Sequence, residues 1–157
     1  MLSFKKEDIN DWECWLQLEF YYFLSQEKNV AEIYRECTYP VRKNSVILSD
    51  SARVDFAIRK KGASKEVYLI IEFKVDKDRG KCLQGMVDDS VKIKALKKAP
   101  FDGRSVFYIG FFYDRAQFRN KEHEKWATGF IKMKEYPLKI KHFAKIGRSG
   151  VNIIILE

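Results

Sequence analysis

The chain has little of what most metal, nucleotide and disulfide sites are built from. Its two histidines, His123 and His142, lie far apart, which supports neither a histidine metal site nor a Ser-His-Asp triad. His123 falls in Lys121-Glu122-His123-Glu124-Lys125, which reads as a solvated helix face, and His142 in a basic strand without a nearby acid. The three cysteines, Cys14, Cys37 and Cys82, are odd in number and form no Cys-x-x-Cys pair. They read as reduced, partly buried thiols of a cytosolic protein rather than a disulfide framework or zinc site. No apolar run reaches the ~18 residues of a membrane span, and Met1 to Asp8 lacks the apolar stretch of a signal peptide. Gly147-Arg148-Ser149-Gly150 lacks the spacing of a phosphate loop and has no helix after it. ATP-driven chemistry is therefore not expected. Repeats, low-complexity segments and linkers are absent, so residues 1–157 are expected to form one domain.

Charge is abundant and unevenly placed. Residues 1–90 hold 15 Lys/Arg against 16 Asp/Glu, a balance of −1; residues 91–157 hold 15 against 6, a balance of +9. A basic half beside clustered carboxylates suits a polyanion brought to a metal site. The competing reading is that the basic excess only aids solubility.

Periodicity divides the chain into elements. Ile9, Trp12, Leu16, Phe20 and Phe23 recur at helical spacing over 8–27, and Trp15, Leu18 and Tyr22 widen the stripe, which predicts a well-buried helix. Val30–Tyr34 fits either a helix extension or a strand, and Pro40 marks a break or an edge position. Residues 45–48 are a short strand candidate. Strands are predicted over 52–60 and 67–75, joined by a hairpin loop, and a helix over 82–98 with apolar Leu83, Val87, Val91, Ile93 and Leu96. The nearly all-apolar 105–113 predicts a central strand covered on both faces. A helix over 116–133 and a hairpin of 138–146 with 151–156 complete an α/β domain.

Two of these strands carry charge where apolar residues belong. Val54, Phe56 and Ile58 take one face of the first, leaving Asp55 on the other. Leu69, Ile71, Phe73 and Val75 take one face of the second, leaving Glu72 and Lys74 opposite. Charges at the end of a buried run are costly unless they are paired or bind something. Two carboxylates at such a spacing suit Mg²⁺, which takes one or two protein carboxylates and fills the rest with water and phosphate oxygens. Lys74 would then hold the attacking water or the scissile phosphate. The alternative is a solvated edge for Asp55, between Arg53 and Arg59, with Glu72 and Lys74 as an exposed ion pair.

Glu19 is the third acid, set on the first helix among Trp15, Leu16, Tyr22 and Phe23. Metal ligand and border position both stand as readings for it. Glu13 is a weaker candidate beside Gln17 and the polar start of the helix. On the helix after the Glu-x-Lys strand, Gln84 is placed to reach the site, and Asp88 with Lys92 fits an ordinary helical ion pair. Lys92, Lys94, Lys97 and Lys98 are candidate phosphate contacts, although solvated lysines are the commoner case.

Arg53-Val54-Asp55 followed by Ile70-Ile71-Glu72-Phe73-Lys74 resembles the PD-(D/E)xK nuclease superfamily, with its restriction-endonuclease-like fold. The resemblance covers roughly residues 8–113, in the order helix, three strands, helix, strand. It implies that Asp55 and Glu72 bind a divalent metal, that the Phe73 carbonyl adds a ligand, and that Lys74 assists the nucleophilic water. The family's first-helix acid would map to Glu19. Val54 stands where the family has proline. Asp88 stands four residues after Gln84, where the RecB-like branch has tyrosine.

The function expected is that of a Mg²⁺-dependent nuclease, with Mn²⁺ able to substitute, cleaving DNA ahead of RNA by metal-activated water. Such an enzyme would be bacterial or phage-borne and cytoplasmic, with a homodimer or a protein partner open. Two alternatives remain: a binding or immunity-type protein that keeps the nuclease fold with an idle site, and a nucleic-acid binder that uses only the basic C-terminal half.

Overall fold

The computed structural model describes residues 12–40, 51–96, 102–113, 120–133, 137–147 and 150–157. The elements run α1 (Trp12–Gln26), β1 (Val30–Pro40), β2 (Ser51–Lys60), β3 (Val67–Asp76), α2 (Arg79–Ala95), β4 (Asp102–Tyr113), α3 (Asn120–Met133), β5 (Ile140–Lys145) and β6 (Val151–Leu156). The elements follow the predicted order of helix, strands, helix, strand, helix and hairpin, and Val30–Tyr34 resolves to strand. The strand candidate at 45–48, the expected helical residues 8–11 and 116–119, and Lys97 and Lys98 lie outside the described residues.

All six strands form one mixed sheet in the order β1-β2-β3-β4-β6-β5. Only β3 and β4 run parallel, since α2 carries the chain back between them; the other neighbours are antiparallel. Gly62, at φ 82°, turns the β2–β3 hairpin, where Ala63 N–H donates to the Lys60 carbonyl. The charged strand β3 therefore lies inside the sheet, not at an edge.

Apolar residues cover both faces. On one, Phe20 and Leu24 of α1 pack on Phe56, Ile58, Ile71 and Phe73, with Phe20 edge-on to the rings of Phe56 and Phe73. On the other, Cys82, Leu83 and Met86 of α2 meet Ala127 and Ile131 of α3 over Tyr108, Phe112, Ile154 and Leu156. Gly110 of β4 lets α2 sit close, because a Cβ there would come within 2.5 Å of Met86 Sδ and 2.9 Å of Cys82 Sγ.

Three expectations about burial are corrected. Helix α1 is not well buried: Trp15, Leu18, Tyr21, Tyr22 and Phe23 are exposed. Its inner row is Glu13, Gln17, Phe20 and Leu24, at helical spacings of four, three and four. Two polar residues share that row, so the most apolar stripe was not the buried one. His123 is not on a solvated face but is 2 % exposed, set against the rings of Phe112 and Phe143. Strict alternation along β2 also fails, because Val54 packs with Ala57 while Phe56 and Ile58 join the other face. Across from Asp55, between the paired residues Arg35 and Cys37, Glu36 has φ 52°. A left-handed residue there twists the strand pair where Asp55 sits.

Candidate active site at the strand fork

The site begins where two neighbouring strands part. β2 and β3 pair from Ile58–Leu69 to Phe56–Ile71 and no further. Beyond that point β2 continues along β1 to the Ser51–Pro40 pair, and β3 continues along β4 to the Asp76–Phe112 pair. The backbone groups of β3 on the β2 side thus lose their ladder, and buried N–H groups need other acceptors. Two carboxylates fill that need. Asp55 Oδ2 accepts from the Phe73 N–H at 2.7 Å, and Glu13 Oε2 accepts from the Val75 N–H at 3.0 Å. In an extended strand the carbonyl of a residue leaves by the same edge as its N–H, so the Phe73 carbonyl also faces the fork.

Glu72 and Lys74 project from β3 toward α2, as the alternation predicted. Helix α2 starts at its N-cap Asp78, which accepts from the Lys81 N–H at 2.9 Å. It presents Gly85, Asp89 and Lys92, spaced by four and three, to the strand. Lys74 Nζ lies 3.2 Å from Asp89 Oδ2; Lys92 Nζ lies 3.1 Å from Asp89 Oδ1 and 3.2 Å from Glu72 Oε2. Gly85 gives the Lys74 stem its path, since a Cβ there would stand 2.8 Å from Lys74 Cδ.

Burial and like charge set the proton affinities. Glu72 is 3 % exposed, and burial first, with Asp55 and Asp89 beside it, pushes its pKa up to about 8 against the pull of Lys92. Asp55 is raised by burial, opposed by its hydrogen bond from Phe73. Glu13 is raised mainly by burial, with Lys74 opposing. Burial works against the Lys74 and Lys92 ammonium groups, yet the surrounding carboxylates more than offset it and both end above the ordinary lysine value.

The structure brings Asp55, Glu72, Phe73 and Lys74 to one fork. Glu19 is not there. Six residues after Glu13, it is turned by about 240° around the helix and stands exposed. Glu13, the weaker candidate of the two, is the helix acid that reaches β3. Lys92 is paired with Asp89 and Glu72 rather than with Asp88; Asp88 instead accepts from Gln84 Nε2 at 2.8 Å on the outer side of the helix. Lys94 is exposed. Sequence reasoning placed Asp89 on the helix after the Glu-x-Lys strand but gave it no role, and the lysine three residues on is its sole local signal.

Two observations bear on whether a cation fits. Among the described residues, no three Asp, Glu, His or Cys side chains lie close enough together to hold an ion. Mg²⁺ does not need three, because it keeps several waters beside one or two carboxylates. Glu72 Oε1 is buried without a hydrogen-bond partner among the described residues, which leaves one hard oxygen unused. Asp89 Oδ2 is likewise buried without a hydrogen bond among them and has Lys74 only at ion-pair distance. The donors Asp55, Glu72 and the Phe73 carbonyl suit such an ion in kind.

Comparison with protein-family models, with curated proteins and with solved structures gives no significant match. None of the helices of the described residues is long and apolar enough to cross a membrane.

Proposed function

We propose that the fork is the active site of a divalent-metal-dependent nuclease with a restriction-endonuclease-like core. The observation that carries this reading is the charge of the site. Glu13, Asp55, Glu72 and Asp89 act on one another against Lys74 and Lys92. With all four carboxylates ionised, the two ammonium groups leave two negative charges uncompensated, the charge a divalent cation would neutralise; without one, Glu72 keeps its proton at neutral pH. Burial first, and like charge after it, raise the Glu72 and Asp55 carboxyls above their ordinary values, and a bound cation would oppose both.

Asp55, Glu72 and the Phe73 carbonyl would hold Mg²⁺, or Mn²⁺ in its place. The bound ion supplies acidified water and offsets charge gathering on the phosphate. The chain's own groups do the rest. Glu72 must lose its proton to become a ligand, and its unpartnered Oε1 can serve while Lys92 stays on Oε2. Lys74 steadies the attacking water or a phosphate oxygen. Asp55 and Glu13 keep the β3 backbone in place through the Phe73 and Val75 N–H groups. The basic half of the chain, at +9 over residues 91–157, suits a nucleic-acid backbone as substrate, with DNA ahead of RNA.

A second reading is a binding protein that keeps the fold with an idle site. It is favoured by the ion pairs that already occupy Glu72 Oε2 and both Asp89 oxygens. Labelled single- and double-stranded DNA and RNA, incubated with Mg²⁺ or with EDTA, separate the two. The nuclease reading expects cleavage that EDTA abolishes and that Glu72→Gln lowers by ~100-fold or more, in the range for loss of a catalytic group. Wild-type protein that cleaves none of these substrates, or no better than Glu72→Gln, refutes it.

A further inference from the structure

We propose that Asp89 is a positioning residue that fixes the two lysines of the site relative to each other. The proposal rests on the nuclease reading and deepens it. Asp89 forms an ion pair with a different lysine through each oxygen: Oδ2 lies 3.2 Å from Lys74 Nζ and Oδ1 lies 3.1 Å from Lys92 Nζ. One lysine comes from β3 and the other from α2, so the carboxylate ties the strand that carries the ligands to the helix above it. Its side chain is 14 % exposed, which keeps water from competing strongly for either ammonium.

The surroundings fit that role. Gly85, one turn earlier on α2, removes the side chain that would block the Lys74 stem on its way to Asp89. Lys74 therefore passes along the helix and ends on Asp89, while the ammonium on Glu72 belongs to Lys92. A continuous row results: Lys74, Asp89, Lys92, Glu72. Lysine alone is a poor positioning device, having a long stem with many rotamers and a rotating three-donor head. A fixed acid between two such heads removes that freedom in advance, which is how a preorganised site gains over a flexible one. Asp89 touches neither substrate nor metal in this scheme. It acts through the lysines, holding Lys74 toward the reacting phosphate and sharing Lys92 with Glu72.

The test compares the full chain as wild type, Asp89→Asn and Asp89→Glu, with melting temperatures checked for each. The first readout is the set of slowly exchanging lysine ammonium signals in ¹H–¹⁵N spectra of the protein alone, assigned with Lys74→Arg and Lys92→Arg. The second is cleavage with Mg²⁺, separated into kcat and KM. Wild type is expected to show both ammonium signals. Asp89→Asn is expected to lose the Lys74 signal and to lower kcat by about tenfold or more while KM stays within about twofold, as loss of a supporting partner does. Asp89→Glu, which keeps the charge, is expected to recover part of both. A Lys74 signal that persists in Asp89→Asn, or an unchanged kcat, overturns the proposal. Wild-type protein that shows both signals but cleaves nothing overturns the nuclease reading instead, and loss of the Lys74 signal in Asp89→Asn then still supports the bridge.

Discussion

Glu72 concentrates the physics of this site in one side chain. Its ordinary carboxyl value is 4.5 and the fold moves it to about 8. The folded chain therefore holds a proton that the unfolded chain releases between those values, and linkage makes stability fall with pH across that window. The contribution is fully present below about 4.5 and is lost as pH rises through about 8. Glu72→Gln removes the group, so it is expected to melt above wild type at pH 8–9, with the gap closing toward pH 4.5. A difference of about 1 kcal/mol corresponds to about 3 °C for a domain of this size. Thermal melts across pH check this; a constant gap contradicts it. Gly85 separates stability from function in a second way. Alanine improves a helix interior by about 1 kcal/mol over glycine, but its Cβ would push the Lys74 stem. Gly85→Ala is therefore expected to melt no lower than wild type while losing about tenfold in cleavage rate. Equal losses of stability and rate would contradict that.

At the scale of elements, α1 shows where sequence patterns mislead. Aromatic and aliphatic residues surround the helix, so hydrophobicity alone does not define its inner face. Phe20 and Phe23 look equivalent in the sequence, yet only Phe20 packs against Phe56 and Phe73. Phe20→Ala is expected to cost about 3 kcal/mol, the low end for a buried phenylalanine, and Phe23→Ala less than about 0.5 kcal/mol. Denaturant midpoints distinguish them. The same ambiguity of phase explains the error at the helix acid. Glu19 sits among apolar neighbours in sequence, whereas Glu13 shares its row with Gln17, Phe20 and Leu24 and reaches the Val75 N–H. On the strands the reading was surer, because a period of two leaves only two faces and a charge within an apolar run stands out. Glu72 and Lys74 were legible for that reason. Asp55 was legible as a charge, but not the fork around it, since a ladder that ends early leaves no local mark in either strand.

At the scale of the molecule, the order of helices and strands followed from local patterning, and the placement of β6 between β4 and β5 did not. Strand neighbours are chosen by long-range packing, here by Ile154 and Leu156 closing the core over α2 and α3. His123 belongs to the same lesson: charged neighbours in sequence suggested solvent, and the fold buried it between two rings. The uneven charge makes a separate prediction. With +9 over residues 91–157, binding of non-cleavable DNA is expected to weaken by about tenfold or more between 50 and 200 mM salt, because each neutralised phosphate releases counterions. Asp55→Ala is expected to leave that slope unchanged. Fluorescence anisotropy at several salt concentrations checks it, and salt-independent binding would remove the basic half from the account.

The central claim is that Asp55 and Glu72 share a divalent cation at the fork. Calorimetric titration of the protein with Mn²⁺ tests it most directly. One ion per chain is expected, bound more tightly as pH rises from 6 to 8 because Glu72 must release its proton. Asp55→Asn and Glu72→Gln should each weaken binding by about tenfold or more. Wild-type protein that binds no Mn²⁺, or variants that bind it equally well, would contradict the claim.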